Sequence, residues 1–265
     1  MIGFIGVGNM GGTLARAAIR TVGAENVLVS SRTLEKAKRF AADTGCTAVM
    51  NTETAARAQV LFLGVKPQGM RSMLAKIAPV LQARSDRFVL VSMAAGLSLQ
   101  QITDFSGGAY PILRIMPNTP AAVGEGMIPY CANELASSED AAELCRILQP
   151  AGRLDPLPEH LIDAAGALSG CGPAFVYVFL EALADAAVAC GMPRDKAIQY
   201  AAQTALGSAK LVLQTGTHPA ALKDAVCSPA GSTIRGVHAL EAGGFRAAAE
   251  NAVLAAYERS MELGK

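Results

Sequence analysis

Five short runs in the first half of the chain, at residues 2–7, 26–30, 60–65, 88–92 and 112–116, are rich in apolar and β-branched residues. Runs of this length, bounded by Gly, Asn, Ser or Pro, predict strands. They lack polar alternation, which predicts a sheet whose two faces are both covered by helices. Between them, residues 9–20, 33–44, 67–81 and 98–105 carry apolar positions at helical spacing, with Thr33, Asn51 and Ser98 suited to N-caps. Strand and helix alternate in this way to about residue 150, the rhythm of a doubly wound α/β fold with a parallel sheet.

Beyond Asp155-Pro156-Leu157-Pro158 the strand signal ends. Ala-rich helical spacing continues nearly to Lys265, broken at Gly191-Met192-Pro193, Thr217-His218-Pro219 and Gly243-Gly244. This predicts a Rossmann-type α/β domain over residues 1–157 and an all-helical domain over 158–265. Residues 173–189 are apolar on almost every face except at Glu181 and Asp185, the pattern of a helix buried on all sides. A small helical domain offers few ways to bury such a helix alone, so an intertwined dimer is expected.

Composition narrows the partners. The 265 residues are 51% hydrophobic, enough for a substantial core, and 23 basic against 22 acidic side chains leave a net charge of +1. That balance supplies no general attraction to nucleic acid or to a membrane surface. Apolar stretches such as 174–180 end at a charge, here Glu181, far short of the roughly 20 residues that span a bilayer. The first residues carry no basic region or cleavage site of a secretory signal, so the expected location is the cytoplasm. Six cysteines stand without CxxC pairs or His neighbours at ligand spacing; no zinc or other metal site and no disulfide framework is expected, and most should be small buried apolar residues.

Gly6-Val7-Gly8-Asn9-Met10-Gly11 fits G-x-G-x-x-G directly after a predicted strand and before a predicted helix. In that setting the first Gly permits the turn, the second admits a pyrophosphate, and the third lets helix and strand pack closely. The helix N-terminus then supplies amides to the anion. A site that prefers NAD normally ends its second strand on Asp or Glu, but here Val29 is followed by Ser30-Ser31-Arg32-Thr33. Two hydroxyls, a guanidinium and a helix N-cap suit a 2′-phosphate, which favours NADPH while leaving NADH open; the alternative is that Arg32 is a solvated surface charge. Val65-Lys66-Pro67 and Met93-Ala94-Ala95-Gly96 lie where later strands turn into helices, the edge at which cofactors bind, although Lys66 could equally be a loop lysine in solvent.

The segment Leu222-Lys223-Asp224-Ala225-Val226-Cys227-Ser228-Pro229-Ala230-Gly231-Ser232-Thr233, followed by Leu240-Glu241, closely resembles the signature of the pyrroline-5-carboxylate reductases. The Gly6 to Gly11 loop, Val65-Lys66-Pro67, Arg114-Ile115-Met116-Pro117-Asn118-Thr119-Pro120 and Leu168-Ser169-Gly170-Cys171-Gly172-Pro173-Ala174 occur in that family's order, so the resemblance spans the chain. It implies reduction of the cyclic imine Δ1-pyrroline-5-carboxylate to L-proline, the last step of proline biosynthesis, by hydride from NAD(P)H in a homo-oligomer built on an interlocked dimer. It also implies that Ser228, Gly231, Ser232 and Thr233 surround the substrate carboxylate, and that Asn51, Lys66, Pro67, Ala95 and Asn118 lie near the cofactor. Two positions depart from the family pattern: Cys171 stands in place of the usual Ser, and Ala230 in place of the usual Gly, a change that could stiffen the substrate loop but removes no ligand.

The residues themselves read the same way. The 228–233 segment looks like a loop feeding a helix, whose exposed amides and hydroxyls could hold a small anion without an arginine; ordinary Ser or Thr capping is the competing reading. Imine reduction depends mainly on positioning and on a protonated or hydrogen-bonded ring nitrogen, a role assigned to Thr233. A related alcohol dehydrogenase would need a Lys where this chain has Val176 and an Asn where it has Leu180. None of His160, His218 and His238 lies in a segment recognisable as catalytic. A dinucleotide-binding sensor is the remaining alternative, and it would have no use for a small-carboxylate loop.

Overall fold

The computed structural model describes residues 1–263. Its sheet contains β1 Ile2–Ile5, β2 Val27–Ser30, β3 Thr47–Ala48, β4 Val60–Leu63, β5 Val89–Ser92, β6 Ile112–Ile115, β7 Gly126–Ala132 and β8 Gly152–Pro156, in the order β3-β2-β1-β4-β5-β6-β7-β8. Strands β1 to β6 pair in parallel, β7 runs antiparallel to β6, and β8 is parallel to β7. The helices are α1 Asn9–Val22, α2 Leu34–Thr44, α3 Asn51–Arg57, α4 Pro67–Gln82, α5 Leu99–Ser106, α6 Ser138–Leu148, α7 Glu159–Ala165, α8 Gly172–Ala189, α9 Arg194–Thr215, α10 Pro219–Ala225, α11 Ser232–Ala242 and α12 Phe245–Leu263.

Successive strand residues feed opposite cores, which is why the strands show no polar alternation. Phe4, Val29, Phe62 and Val91 pack with Leu14 and Ala18 of α1 and Ile147 of α6. Ile5, Leu61, Leu63 and Leu90 pack with Met70, Leu74 and Ile77 of α4 and Ile102 of α5. Stacked rings of Phe4 and Phe62, with centroids 4.4 Å apart, join β1 to β4.

Local capping follows sequence only in part. Ser98 caps α5 in a reciprocal pair with Gln101. Thr33 occupies the N-cap of α2, but its side chain makes no capping bond. The N-cap of α3 is Met50 rather than Asn51, because the extended Met50 already accepts the Thr54 amide through its carbonyl. Asn51 is therefore the first helical residue.

A π turn over Gly166–Gly170 joins α7 to α8, so the chain is helical over Glu159–Ala189, 31 residues that include an 18-residue stretch of mean hydropathy 1.5. By length and composition this helix could cross a bilayer, a length not visible in the sequence because the π turn extends α8 backwards past the Gly-rich segment.

Two compact units emerge: Met1–Cys171 together with residues 256–263, and Gly172–Ala255. Within Gly172–Ala255 the buried residues are Ala184, Ala197 and Ala201, while Val176, Tyr177, Val178 and Leu213 lie exposed. A single chain thus leaves α8 largely uncovered, although its sequence is that of a helix buried on all sides.

Candidate active site

Six parallel strands place the residues that follow them at one edge of the sheet. The sheet order changes direction at β1, which lies between β2 and β4, and such a switch point opens a crevice at the strands' carboxyl ends. Gly6 to Gly11 after β1, Ser31 to Thr33 after β2, Asn51 after β3, Val65 to Pro67 after β4, Ala94 to Gly96 after β5 and Asn118 after β6 all stand at this edge. The fold brings together every cofactor candidate named from sequence.

Three glycine backbones interlock beneath the crevice. Gly6 has φ +105°, and a Cβ on it would lie 2.4 Å from the Gly64 carbonyl oxygen. A Cβ on Gly11 would lie 2.0 Å from the Gly6 oxygen, and one on Gly64 2.5 Å from the same atom. Sequence analysis missed Gly64; its signal was a glycine ending the strand beside the switch point. Gly8 differs, since a Cβ there would meet no atom within 4 Å. Packing within the chain does not require glycine at residue 8, but close approach of a pyrophosphate does. Gly8 is the N-cap of α1 with no side-chain capping bond, and the first turn of that helix carries no acidic residue. Asn9 is exposed in that first turn, and Met10 is half-buried against the core.

Strand β2 ends on Ser30, buried and hydrogen-bonded through its hydroxyl to the Phe4 carbonyl at 3.4 Å, so no carboxylate occupies the position that would bind a ribose 2′-hydroxyl. Ser31 is half-buried, and Arg32 and Thr33 are exposed. On the neighbouring β3 side, the Asn51 Oδ1 is buried with no hydrogen-bond partner among the described residues. An unsatisfied buried acceptor at a ligand edge fits a donor from a bound molecule. Free helix amides, an open glycine and this acceptor together match the anionic and hydroxylated parts of a dinucleotide.

The remaining edge residues divide between open and committed. Lys66 is an exposed N-cap of α4, with Pro67 opening the helix. Ala94 is buried, Ala95 exposed, and Gly96 takes φ +74°. Asn118 is buried, its Nδ2 donating to the Ser169 carbonyl and its Oδ1 accepting from the Met127 amide, each at 2.9 Å. It clasps β7 to the π turn. Below it Arg114, 3% exposed in β6, pairs with Asp163 at 2.5 Å and Glu159 at 3.5 Å. The Glu159 carboxylate also accepts from the Leu99 amide at 2.6 Å, at the start of α5. Neither acidic residue was singled out in sequence. Burial, and next the Glu159 charge, push the neighbouring Cys131 thiol up to about 11, so it stays neutral and is no nucleophile. Of the six cysteines only Cys46 and Cys131 are buried, and all are free; Cys171 and Cys190, in the turns just before and after α8, are exposed.

In the second unit, Gly231 is the N-cap of α11 without a side-chain capping bond, and Ser232 and Thr233 form its exposed first turn. Their amides are free to bind an anion. Gly231 donates its amide to the Ser228 carbonyl at 3.0 Å, closing a turn through Pro229 and Ala230. His218 caps α10 by accepting the Ala220 amide, and His160 and His238 are exposed. Among the described residues no three His, Cys, Asp or Glu converge as metal ligands.

Residues 159–263 match the family model for pyrroline-5-carboxylate reductase dimerisation, and residues 1–96 match that for NADP oxidoreductase, coenzyme F420-dependent. The chain is 41% identical to the pyrroline-5-carboxylate reductase of Escherichia coli over all of this chain and 98% of that one. Its identity to pyrroline-5-carboxylate reductase 3 of Rattus norvegicus is 42%, covering 100% of this chain and 96% of the other. The Plasmodium falciparum pyrroline carboxylate reductase, whose crystal structure has NADP bound, superposes with a TM-score of 0.88 at 33% identity over 100% of this chain and 98% of that one.

Proposed function

The chain belongs to the pyrroline-5-carboxylate reductase family, and from that premise we propose which of its residues do the work. The family's reaction reduces Δ1-pyrroline-5-carboxylate to L-proline with a nicotinamide cofactor, the last step of proline biosynthesis. The observation that carries the assignment of residues is Gly8, a glycine that internal packing does not need at a helix N-terminus on the switch-point edge. Gly6, Gly8, Asn9, Met10 and Gly11 cradle the pyrophosphate; Val65, Lys66, Pro67, Ala94, Ala95, Gly96 and Asn118 line the rest of the cofactor edge, Asn118 as the clasp that holds it. Asn51 offers its unpaired Oδ1 to a hydroxyl.

NADPH is the preferred donor in this reading. Ser31, Arg32 and Thr33 take the 2′-phosphate in place of the missing carboxylate, and the relative from Plasmodium falciparum holds NADP. Arg32→Ala is expected to raise the KM for NADPH about tenfold or more, the scale of one charge-assisted contact, while leaving that for NADH nearly unchanged. The comparison is imine-dependent loss of reduced-nicotinamide absorbance with each donor. An unchanged ratio of the two KM values would return Arg32 to solvent.

When bound, the nicotinamide supplies the hydride to the ring carbon. The chain's part is to hold and polarise the imine. Ser228, Gly231 and the free amides of Ser232 and Thr233 hold the substrate carboxylate at the positive end of α11. Thr233 donates a hydrogen bond from its hydroxyl to the ring nitrogen, which makes the carbon a better acceptor; as hydride reaches the carbon the nitrogen takes that proton, and solvent water returns one to the threonine oxygen. No strong base is required. Thr233→Ala is expected to lower kcat about a hundredfold, as for loss of one aligned donor; wild-type turnover in that variant would remove the role.

The dimerisation match makes the chain a homo-oligomer. We read the uncovered apolar surface of α8 as the face of an intertwined dimer, which also accounts for the apolar 159–189 helix without a membrane. The functional boundary falls near Leu157, two residues before that match begins. Six free cysteines suit the reducing cytoplasm, and a near-neutral chain gives no hold on nucleic acid.

A further inference from the structure

Ala230 is the one residue other than glycine with a left-handed backbone among the described residues, at φ 58°. It is the third residue of the turn that Gly231 closes on Ser228, and Pro229 is the second. Proline second and positive φ third are the features of a type II turn. That third position is ordinarily glycine, because a Cβ there crowds the following carbonyl.

Pro229 fixes its own φ near −65°, which suits the second position of this turn and of a type I turn alike. Gly231 approaches Ser228 so closely that a Cβ on it would lie 2.3 Å from the Ser228 Oγ. Gly231 is also the N-cap of α11, so the turn sets how Ser228 and the free Ser232 and Thr233 amides are presented together. Ser228, Pro229 and Ala230 are exposed, so little packing opposes a change of turn.

We propose that Ala230 is a positioning residue that sets substrate affinity by making the type II turn compete with a relaxed turn in which Ala230 is right-handed. This rests on reading Ser228 to Thr233 as the carboxylate site. A type I turn accepts proline second and alanine third at negative φ, so the relaxed form is open to this sequence. Substrate selects the left-handed form, and apparent affinity falls by the fraction of chains not already in it. Glycine removes the left-handed penalty; alanine retains it. The difference is about fivefold, equivalent to about 1 kcal/mol at 1.4 kcal/mol per tenfold.

Steady-state kinetics of Ala230→Gly, Ala230→Val and Thr233→Ala test this in the full-length oligomer. Ala230→Gly is expected to lower the KM for pyrroline-5-carboxylate about fivefold, with kcat and the KM for NADPH within twofold of the parent. The β-branched Ala230→Val, which resists positive φ more strongly, raises that KM. The carboxylate-free imine 1-pyrroline should show neither change, a distinction that a merely structural role for residue 230 would not produce. If Thr233→Ala cripples turnover while Ala230→Gly leaves the imine KM unaltered, the turn is fully type II already and the proposal fails with the site intact. If both are inert, the carboxylate site itself is misplaced and the proposal falls with it.

Discussion

Alanine at Gly11 is expected to destabilise the cofactor domain severely, whereas alanine at Gly8 leaves it folded and binding NADPH far more weakly. The two glycines are three residues apart in one motif, yet a Cβ at Gly11 lies 2.0 Å from the Gly6 carbonyl oxygen and one at Gly8 meets nothing within 4 Å. The obstruction at Gly11 is backbone, itself pinned because Gly6 donates its amide to the Ser30 carbonyl at 2.8 Å and Gly64 donates to Ile5 at 2.8 Å. Neither strand can move aside without losing ladder bonds, so the cost is about 3 kcal/mol or more, a large part of the roughly 5–15 kcal/mol that holds a domain together. Gly8 has φ −74° and ψ −166°, an extended conformation open to any residue, so its replacement costs about 1 kcal/mol or less as an altered N-cap. Its new methyl group instead occupies the space of the pyrophosphate, and affinity for NADPH falls about a hundredfold or more. Denaturant unfolding and fluorescence titration with NADPH separate the two. Equal loss of stability in both variants would mean that residue 8 serves packing, and intact binding by Gly8→Ala would remove the pyrophosphate from this loop.

The motif itself was legible because it depends on types of residue at fixed spacing between a strand and a helix. The five strands found from sequence were equally legible: each has a four-residue core buried at every position and drawn mainly from apolar residues, with Ser30, Ser92 and Arg114 as the polar exceptions. The strands that were missed lack that signal for separate reasons. Thr47–Ala48 is too short to show any period. The β7 sequence carries Pro129 in its middle, which removes a ladder donor and argues against a strand, and Gly152–Pro156 is a half-exposed edge with Arg153, Asp155 and a terminal proline. Both run against the parallel direction, so the alternating βα rhythm that located the others stops before them.

Side-chain commitments were harder to read than elements. Asn51 looked like a cap, and its Oδ1 instead stands buried and unpaired, because the cap is set by which carbonyl accepts the first helical bond and Met50 is already extended there. Asn118 lay in a recognisable motif, but nothing in spacing could show that its amide would bridge Met127 and Ser169, residues far apart in sequence. The apolar character of α8 was plain, and it pointed to a dimer, but which residues would face it was not legible, because a pairing between copies leaves no local spacing in one sequence. Chemistry that depends on local spacing was visible; contacts made by distant segments were not.

Asp163→Ala is expected to destabilise the protein by about 3 kcal/mol, more than Arg114→Met does, and the two changes together should cost less than their sum. Arg114 projects from β6 in a side chain that is 3% exposed, while its partners Asp163 and Glu159 on α7 are 23% and 36% exposed. Removing Asp163 therefore strands a cation that water cannot reach, with Glu159 at 3.5 Å as its remaining partner; breaking a buried pair in this way costs about 3–5 kcal/mol. Replacing Arg114 by methionine fills much of the same volume with an apolar chain and leaves two carboxylates that can turn toward water, at about 1–2 kcal/mol. Once the cation is gone, loss of Asp163 relieves repulsion from Glu159, so the double variant recovers part of the single-variant loss. Glu159 adds a functional readout, because its carboxylate also accepts from the Leu99 amide at 2.6 Å, just beyond the Met93 to Gly96 cofactor loop. Released from Arg114, that carboxylate can swing away from α5 and loosen the loop, so Arg114→Met raises the KM for NADPH, whereas Asp163→Ala, which keeps Glu159 on Arg114, leaves that KM near the parent value. Denaturant unfolding of the two single variants and the double, alongside NADPH kinetics, tests both expectations. Additive energies would mean that the groups do not interact across β6 and α7, and an unchanged KM in Arg114→Met would confine the network to stability.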